Sequence, residues 1–360
     1  MPVPDAAESL RLLREIGTPP TAPYHEDAAR SAIERELARL DIASRRDRWG
    51  NVITSHRGGD RHRPVVLVAH MDHPAFDVVE ARGTAAIARV RGGLFRETFT
   101  PPVAIEIHRN GQTIRARGSH LTYDIELVNY SIGHLRLEAE RPLEVGDWGI
   151  LALPAFEHSG DDVRMRAADD LAGCALIVAV LDALRSERRG HECVGVFTRA
   201  EEPGLFGARL VADDRVLPDD AVVVSIETSR ELPGAVHGRG PVIRVGDFHH
   251  TFDDVAESYL RVAAERIAPL PTQRMLMYGG TCEASAFIDA GYATTAIAMP
   301  LRNYHNAGPH GPAPEIISLA DFQGAAALLH ESVIAAAENA VEAYRVSTGP
   351  VPDEIKRLLE

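Results

Sequence analysis

The amino-acid sequence predicts an α/β fold, in which a mainly parallel sheet is sandwiched by helices and carries an inserted small all-β domain. Short apolar segments of the buried-strand type alternate with helical segments along residues 1–81 and 161–360. Strands that alternate with helices form parallel sheets that are covered on both faces. Residues 82–160 instead alternate apolar and polar residues, as antiparallel strands with one solvated face do. The composition, 45% hydrophobic and 25% charged among 360 residues, is usual for a globular chain with room for two domains.

The first third of the chain supplies two helices and one strand before the inserted domain begins. Apolar residues at helical spacing predict amphipathic helices over 6–16 and 26–40. The β-branched run VVLVAH predicts a buried strand over 65–70. Within the insertion, the dipeptide Asn110-Gly111 separates two alternating segments, which predicts a tight hairpin.

The last half of the chain continues the alternation of helix and strand. The expected helices cover 170–185, 204–212, 252–268 and 281–290, and the expected strands cover 192–199, 221–227 and 293–299. Ser318 is expected to cap a long final helix, with Asp321 completing a capping box. In such sheets, functional sites lie at the carboxyl ends of the strands.

Composition excludes several partners. A net charge of −14 argues against nucleic acid, whose backbone requires a basic surface. The longest apolar run, 174–184, is too short to cross a bilayer and contains Asp182, so no membrane partner is expected. The three cysteines are odd in number and form no CxxC pair, and the first residues do not resemble a signal peptide. These features favour a cytoplasmic protein.

Histidine and acidic residues stand where the predicted strands end. These residues are His70 and Asp72, the pair Glu201-Glu202, Glu227 and His305; the pair Asp169-Asp170 opens the helix that follows the insertion. Gathering so many carboxylates without a cation would be costly. Two histidines with carboxylates and no cysteine fit a catalytic site for zinc, cobalt or manganese.

The spacing of these residues suggests a division of roles. Residues i and i+2 of a strand share a face, so Asp72 can reach the His70 nitrogen that a metal does not use. A short aspartate such as Asp169 suits the bridging of two metal ions. Of the adjacent Glu201 and Glu202, one can bind a metal while the other acts as general base.

Together these motifs resemble the co-catalytic metallo-aminopeptidases of the tetrahedral, deblocking and glutamyl aminopeptidase type, metallopeptidase family forty-two. The matching segments are WGNVI (49–53), HMD (70–72), ADDLAG (168–173), EEPGLFGA (201–208), GRGPVI (238–243), GGT (279–281) and PLRNYH (300–305). They follow the family order over nearly the whole chain. The resemblance implies a zinc-exopeptidase-like catalytic domain formed by 1–81 and 161–360, with a β-barrel-like domain at 82–160 that serves assembly or substrate access.

The resemblance also assigns roles. The implied ligands are His70, Asp169 and Glu227 for one metal ion, zinc by preference, and Asp169, Glu202 and His305 for the other. Glu201 would be the general base, and Asp72 would hold His70. The Asp169–Asp170 peptide bond would be cis. Peptides would be the substrates, and the chain would form homo-oligomers, from dimers up to a dodecamer.

Two departures from the family pattern keep an alternative open. Glu227 stands where the family has aspartate, and Cys282 replaces the acid of the family's GGTDA motif. Glutamate at the first position is found in two-metal N-acyl-amino-acid deacylases and carboxypeptidases of the same clan. A glycosidase is disfavoured because adjacent Glu201 and Glu202 cannot flank a glycosidic bond. The full ligand set with a base disfavours an inactive binding protein.

Three further polar residues have two interpretations each. Arg302 could bind a substrate carboxylate or form a structural salt bridge. His249 and His250 could line the pocket, although loop histidines are more often solvated.

Overall fold

The computed structural model of the chain describes residues 4–59, 63–95, 102–127, 130–340 and 351–359. Its helices are α1 (Ala6–Gly17), α2 (Asp27–Arg39), α3 (Ala168–Arg185), α4 (Phe206–Asp213), α5 (Asp254–Arg266), α6 (Ala284–Asp289), α7 (Leu319–Ala337) and α8 (Asp353–Leu359). Its strands are β1 (Ser44–Arg46), β2 (Val52–Gly58), β3 (Val65–His70), β4 (Ala75–Arg82), β5 (Ala85–Arg91), β6 (Val103–Arg109), β7 (Gln112–Leu127), β8 (Tyr130–Ala139), β9 (Trp148–Leu151), β10 (Phe156–Ser159), β11 (Asp162–Met165), β12 (His191–Thr198), β13 (Val222–Arg230), β14 (Val242–Arg244), β15 (Gln273–Met275), β16 (Ala293–Leu301), β17 (Ala307–Gly308), β18 (Gly311–Pro312) and β19 (Glu315–Ser318).

Eight strands form the main sheet in the order β1-β2-β12-β3-β13-β16-β14-β15. The four central strands β12, β3, β13 and β16 run parallel, whereas β2 and β14 flank them in antiparallel orientation. The prediction of a mainly parallel sheet sandwiched by helices is therefore confirmed. Because the parallel strands share one direction, β3, β12, β13 and β16 deliver their following residues to one edge of the sheet.

Strand β3 shows why its sequence is apolar at every position. Val65 and Leu67 belong to the core cluster that contains α3 and α7, on one face of the sheet. Val66 and Val68 belong to the cluster formed with α4 and α6, on the other face. A strand that is covered on both faces cannot alternate with polar residues, and all six residues of β3 are buried.

A closed antiparallel barrel of six strands, in the order β4-β5-β8-β7-β6-β9, forms a second body with its own apolar core. Its strands span 75–151, a range that overlaps the predicted insertion at 82–160 without sharing its limits. The hairpin predicted at Asn110-Gly111 joins β6 to β7, and both residues have left-handed backbone conformation (φ 47° and 76°). A two-residue turn of this kind requires positive φ at both positions.

The barrel contacts the sheet domain through an aromatic stack. The indole of Trp148 on β9 lies 4.5 Å from the ring of His108 on β6 and 5.1 Å from the ring of His25, which follows α1. The Trp148 indole is nearly parallel to the His25 ring, with 7° between their planes. The junction between the two bodies is thus partly formed by three stacked rings.

The start of α7 differs from the predicted capping box in one respect. Ser318 caps the helix as expected, because its side chain accepts a hydrogen bond from the Asp321 amide. The Asp321 carboxylate does not return the bond but accepts from the amides of Gly238 (2.8 Å) and Gly240 (2.7 Å). Asp321 therefore ties the loop before β14 to the helix. Among the described residues, no helix has both the length and the hydropathy to span a bilayer.

Candidate active site

His70 and Asp72 lie at the carboxyl end of β3, and both are almost completely buried. The Nδ1 atom of His70 is 3.2 Å from the Asp72 carbonyl oxygen and 3.6 Å from its carboxylate. The carboxylate makes its shorter bonds elsewhere, accepting from the amides of Glu201 (2.9 Å) and Glu202 (3.1 Å). Asp72 therefore contacts His70 and also fixes the backbone of the glutamate pair.

Asp169 lies at the centre of the site, between the two histidines. One carboxylate oxygen is 3.3 Å from Nε2 of His70, and the other is 3.4 Å from Nε2 of His305. The amide of Asp169 donates to Glu315 (2.9 Å), and its carbonyl oxygen accepts from Nδ1 of His73 (2.6 Å). Its peptide bond to the next residue is cis, as the resemblance implies.

The two adjacent glutamates occupy different positions. Oε1 of Glu202 is 3.4 Å from Nε2 of His305, whereas Oε2 of Glu201 is 3.8 Å from Nε2 of His70. The loop that carries them turns tightly into α4. A Cβ atom at Gly207 would lie 2.3 Å from the Arg199 carbonyl oxygen, so only glycine allows this turn.

Glu227 lies inside β13 rather than at its end, because this strand continues to Arg230. It nevertheless reaches the site: single ligand atoms of Glu227, His70 and Asp169 all lie within 4.8 Å of one another. The hydroxyl of Ser225, on the same face of the strand, donates to Glu227 Oε1 (3.4 Å).

His305 is carried by a turn after β16. Asn303, His305 and Asn306 of this turn all have left-handed backbone conformation (φ 50–59°), which favours asparagine among the non-glycine residues. The His305 amide donates to Glu315 (2.8 Å), and its ring stacks on Tyr304 at 3.8 Å. Its Nδ1 donates to the carbonyl oxygen of Gly93, which belongs to the segment after barrel strand β5. Nε2 consequently faces the carboxylates.

The charges of the site are unbalanced. Burial, reinforced by neighbouring carboxylates, raises the pKa of Glu201 and of Glu202 well above the usual range, and raises the pKa of Glu227 to about 7. Burial also opposes protonation of His70, but the carboxylates of Glu201 and Asp169 outweigh it and hold the pKa of His70 well above its usual value. Buried acids that outnumber the nearby cations mark a place where an additional cation would be stabilised.

The spacing of the donor atoms fits metal coordination. In a tetrahedral zinc site with ligands at about 2.0–2.1 Å, neighbouring ligand atoms lie about 3.3–3.4 Å apart. The distances from Asp169 to His70 and from His305 to Asp169 and Glu202 are 3.3 to 3.4 Å. Asp169 Oδ1 and Glu202 Oε1 are buried and have no hydrogen-bond partner. The residues present therefore fit two adjacent divalent ions that share Asp169, in the two groups that the resemblance implies.

These residues border a cavity of about 530 Å³. Its wall also includes Gly93, Phe95, Arg209, His249, His250 and Asp289. Thus both loop histidines line the pocket. Arg302 does not, because its guanidinium pairs with Asp162 (2.9 Å) and lies against His237, as its structural interpretation predicts. Cys282 is buried, and its sulfur lies 3.7 Å from Asp247.

Several residues that hold the site were not predicted from the sequence. Glu315 on β19 joins the two loops that carry Asp169 and His305, and His73 spans from Asp169 to Asn306. Glu283 is fully buried behind the site, accepts from the Thr198 hydroxyl and leaves one oxygen without a partner. Because these contacts join segments far apart in sequence, no local pattern could have indicated them.

Comparisons with known proteins agree on one family. A sequence model of the M42 glutamyl aminopeptidase family matches residues 50–328. A protein of Acetivibrio thermocellus named as an aminopeptidase is 26% identical over 324 residues, which cover 86% of this chain and 93% of that protein. The glutamyl aminopeptidase of Lactococcus lactis subsp. cremoris is 24% identical over 306 residues, which cover 78% of this chain and 85% of that protein. The structure of the Pyrococcus horikoshii TET1 peptidase, which can assemble into a tetrahedron or a large octahedral shell, has a TM-score of 0.75 at 19% identity and covers 90% of this chain and 99% of its own.

Proposed function

The chain belongs to the M42 glutamyl aminopeptidase family and is a peptide-cleaving aminopeptidase, and on this premise we propose that it works with two divalent metal ions held by five side chains. His70, Asp169 and Glu227 would hold one ion, and Asp169, Glu202 and His305 the other. The observation that carries this proposal is the Asp169 carboxylate, whose two oxygens face two different histidines at 3.3 and 3.4 Å. Nitrogen and oxygen donors without a thiolate support zinc, with cobalt or manganese as the other candidates.

Glu201 has the geometry of the general base. Its carboxylate borders the cavity and belongs to neither ligand group, and its backbone is fixed by Asp72. Its raised pKa, caused by burial, suits a group that accepts a proton near neutral pH. Bound divalent ions would supply Lewis-acid polarisation of the scissile carbonyl and activation of the attacking water. Glu201 would take a proton from that water and deliver it to the leaving nitrogen.

Arg209 supports a preference for acidic amino-terminal residues. Among the described residues that line the cavity, Arg209 is the arginine. Its guanidinium forms no ion pair with a described carboxylate. Its guanidinium lies 5.9 Å from the centre of the Phe206 ring at the exposed start of α4. A cation held at the entrance of an acidic site would offer a partner to a glutamate or aspartate side chain of the substrate.

The oligomeric state is inferred from a structural neighbour, and the cellular compartment is inferred from the cysteines. The Pyrococcus TET1 peptidase can assemble into a tetrahedron or a large octahedral shell, which supports a homo-oligomer for this chain, with the domain at 82–160 serving assembly or substrate access. The described cysteines are all buried and unpaired, which supports the cytoplasm as the compartment.

A pair of isosteric substitutions at the adjacent glutamates tests the division of roles. Glu201→Gln should lower kcat on aminoacyl anilides by about 10²–10⁴-fold, because the base is lost, while both metal ions remain bound. Glu202→Gln, its matched partner, should lose one of the two ions. The measurements are steady-state kinetics and metal content by plasma mass spectrometry after dialysis.

The proposal fails if Glu201→Gln hydrolyses the anilide at the wild-type rate. It fails equally if the wild-type chain binds fewer than two ions, or if chelated enzyme keeps full activity.

A further inference from the structure

One segment of the barrel reaches into the site of the sheet domain. Gly92 and Gly93 follow β5, and the Gly93 carbonyl oxygen accepts the Nδ1 proton of His305. The Phe95 ring lies 6.2 Å from the His305 ring and 6.1 Å from the Tyr304 ring. A Cβ atom at Gly92 would lie 3.0 Å from Oε2 of Glu202, which shows how closely the barrel backbone approaches this carboxylate.

The two ligand groups differ in their relation to the barrel. His70, Asp169 and Glu227 are carried by β3, the start of α3 and β13, all in the sheet domain. Glu202 and His305 are carried by the sheet domain as well, but each lies against the Gly92–Gly93 backbone. In the part of the chain that the structure describes, the contacts of the Gly92–Gly93 backbone are therefore with the group that contains Glu202 and His305.

The contact with Gly93 decides how His305 presents its ring. A neutral imidazole has one N–H and one lone pair, and donation from Nδ1 leaves the Nε2 lone pair toward Asp169 and Glu202 at 3.4 Å each. The ring has little freedom to turn, since Tyr304 stacks on it at 3.8 Å and His73 meets it edge-on at 6.2 Å.

We propose that the Gly92–Gly93 backbone of the barrel positions His305 and Glu202, and so sets the affinity of the Asp169–Glu202–His305 group for its metal ion without affecting the His70–Asp169–Glu227 group. This inference rests on the proposed two-metal function. Gly92 and Gly93 are positioning residues in this respect, because they act on the metal ion through its ligands. The barrel would thereby control occupancy of one metal position in addition to any part in assembly.

Replacing Gly93 by alanine would displace the His305 ring. A Cβ atom at Gly93 would lie 3.2 Å from Nδ1 and 3.3 Å from Cε1 of His305, and among the described residues beyond its chain neighbours these are the atoms it would meet within 4 Å. The backbone of Gly93 is not left-handed, so alanine is allowed there. The ring must move by a few tenths of an ångström, which exceeds the tolerance of about 0.2 Å in metal–ligand distances. Disturbing a group that orients a ligand typically costs about 10–100-fold in metal affinity.

The test uses the Gly93→Ala variant from which metal has been removed with a chelator. Zinc is titrated into it by calorimetry, and the metal content of the protein is measured afterwards. One ion should bind with wild-type affinity and the other about 10–100-fold more weakly. Gly279→Ala is the matched control, because a Cβ atom there lies at the same cavity and meets no atom of a described residue beyond its chain neighbours within 4 Å. It should bind both ions as the wild type does.

Combined variants identify the affected position. In the Glu227→Gln background, adding Gly93→Ala should weaken binding of the ion that remains. In the Glu202→Gln background, adding Gly93→Ala should leave the affinity for the remaining ion unchanged. Circular dichroism checks folding, and Phe95→Leu provides a second variant that disturbs the same ring without adding an atom near it. Equal weakening of both ions, or unchanged binding of both, would overturn the inference. The proposed function itself would fail earlier, if the wild type bound fewer than two ions.

Discussion

Replacing Asp72 by asparagine removes one charge and one acceptor from the centre of the site while keeping the shape of the side chain. In the wild type the buried carboxylate accepts two amide protons, from Glu201 at 2.9 Å and from Glu202 at 3.1 Å. Asparagine can accept only one of them, and its NH₂ group must face the other. Losing one charge-assisted bond, weakening the second and leaving an amide unpaired should together cost about 2–4 kcal/mol.

That free energy should appear in two measurements. Guanidinium unfolding of the metal-free variant should show a loss of about 2–4 kcal/mol in unfolding free energy. If the loop that carries Glu201 no longer holds this proposed base in place, the same amount corresponds to about a 30- to 1000-fold loss of kcat at saturating metal.

Asp182→Asn is the matched control for this change. Asp182 is on α3, its side chain is 39% exposed, and it pairs with Arg185 at 3.3 Å. Its substitution should change stability by less than about 0.5 kcal/mol. The reasoning is refuted if Asp72→Asn also stays within that limit and keeps kcat within about threefold of wild type.

Two further predictions concern a buried acid and the pocket entrance. Burial raises the pKa of Glu283 to about 8, so the folded chain binds more protons than the unfolded chain between the ordinary glutamate pKa and pH 8. The unfolding free energy of the metal-free protein should therefore fall as pH rises from about 5 to 8. Glu283→Gln should make this fall smaller, as measured by unfolding curves recorded across that pH range. An unchanged pH dependence in the variant would contradict the raised pKa of Glu283. Arg209→Ala should lower kcat/KM for a glutamyl anilide by up to about fivefold, the value of an exposed ion pair, and leave a leucyl anilide unaffected. An equal loss on both substrates would argue against a role in side-chain preference.

The sequence was sufficient for the parts of the fold that have local causes. Buried strands such as β3 are apolar at every position because both faces are covered, and Asn110-Gly111 specifies its own turn. The ligand-type residues could be recognised because parallel strands end at one edge of the sheet, so that His70 and Glu202 border the same cavity.

What the sequence could not show depends on contacts between distant segments. Glu315 and Asp169 are 146 residues apart, and Gly93 and His305 are 212 apart. A glycine after a barrel strand gives no local sign that its carbonyl oxygen will orient a histidine of the other body. Asp321 has the spacing of a capping box, yet its carboxylate binds two glycine amides instead, because the folded loop before β14 offers them.

The stack of Trp148 between His25 and His108 gives this chain an optical probe of its own. The chain has two tryptophans, and Trp49 is 40% exposed at the surface of the sheet domain, where water shifts its emission to longer wavelength. Trp148 instead stacks with two imidazoles, and one of the two belongs to the other body. Separation of the two bodies would remove the His25 ring from the indole and expose that face to water, so the emission of Trp148 depends on whether barrel and sheet domain remain in contact. A rigid-body movement of the barrel can thus be followed in solution without attaching a dye.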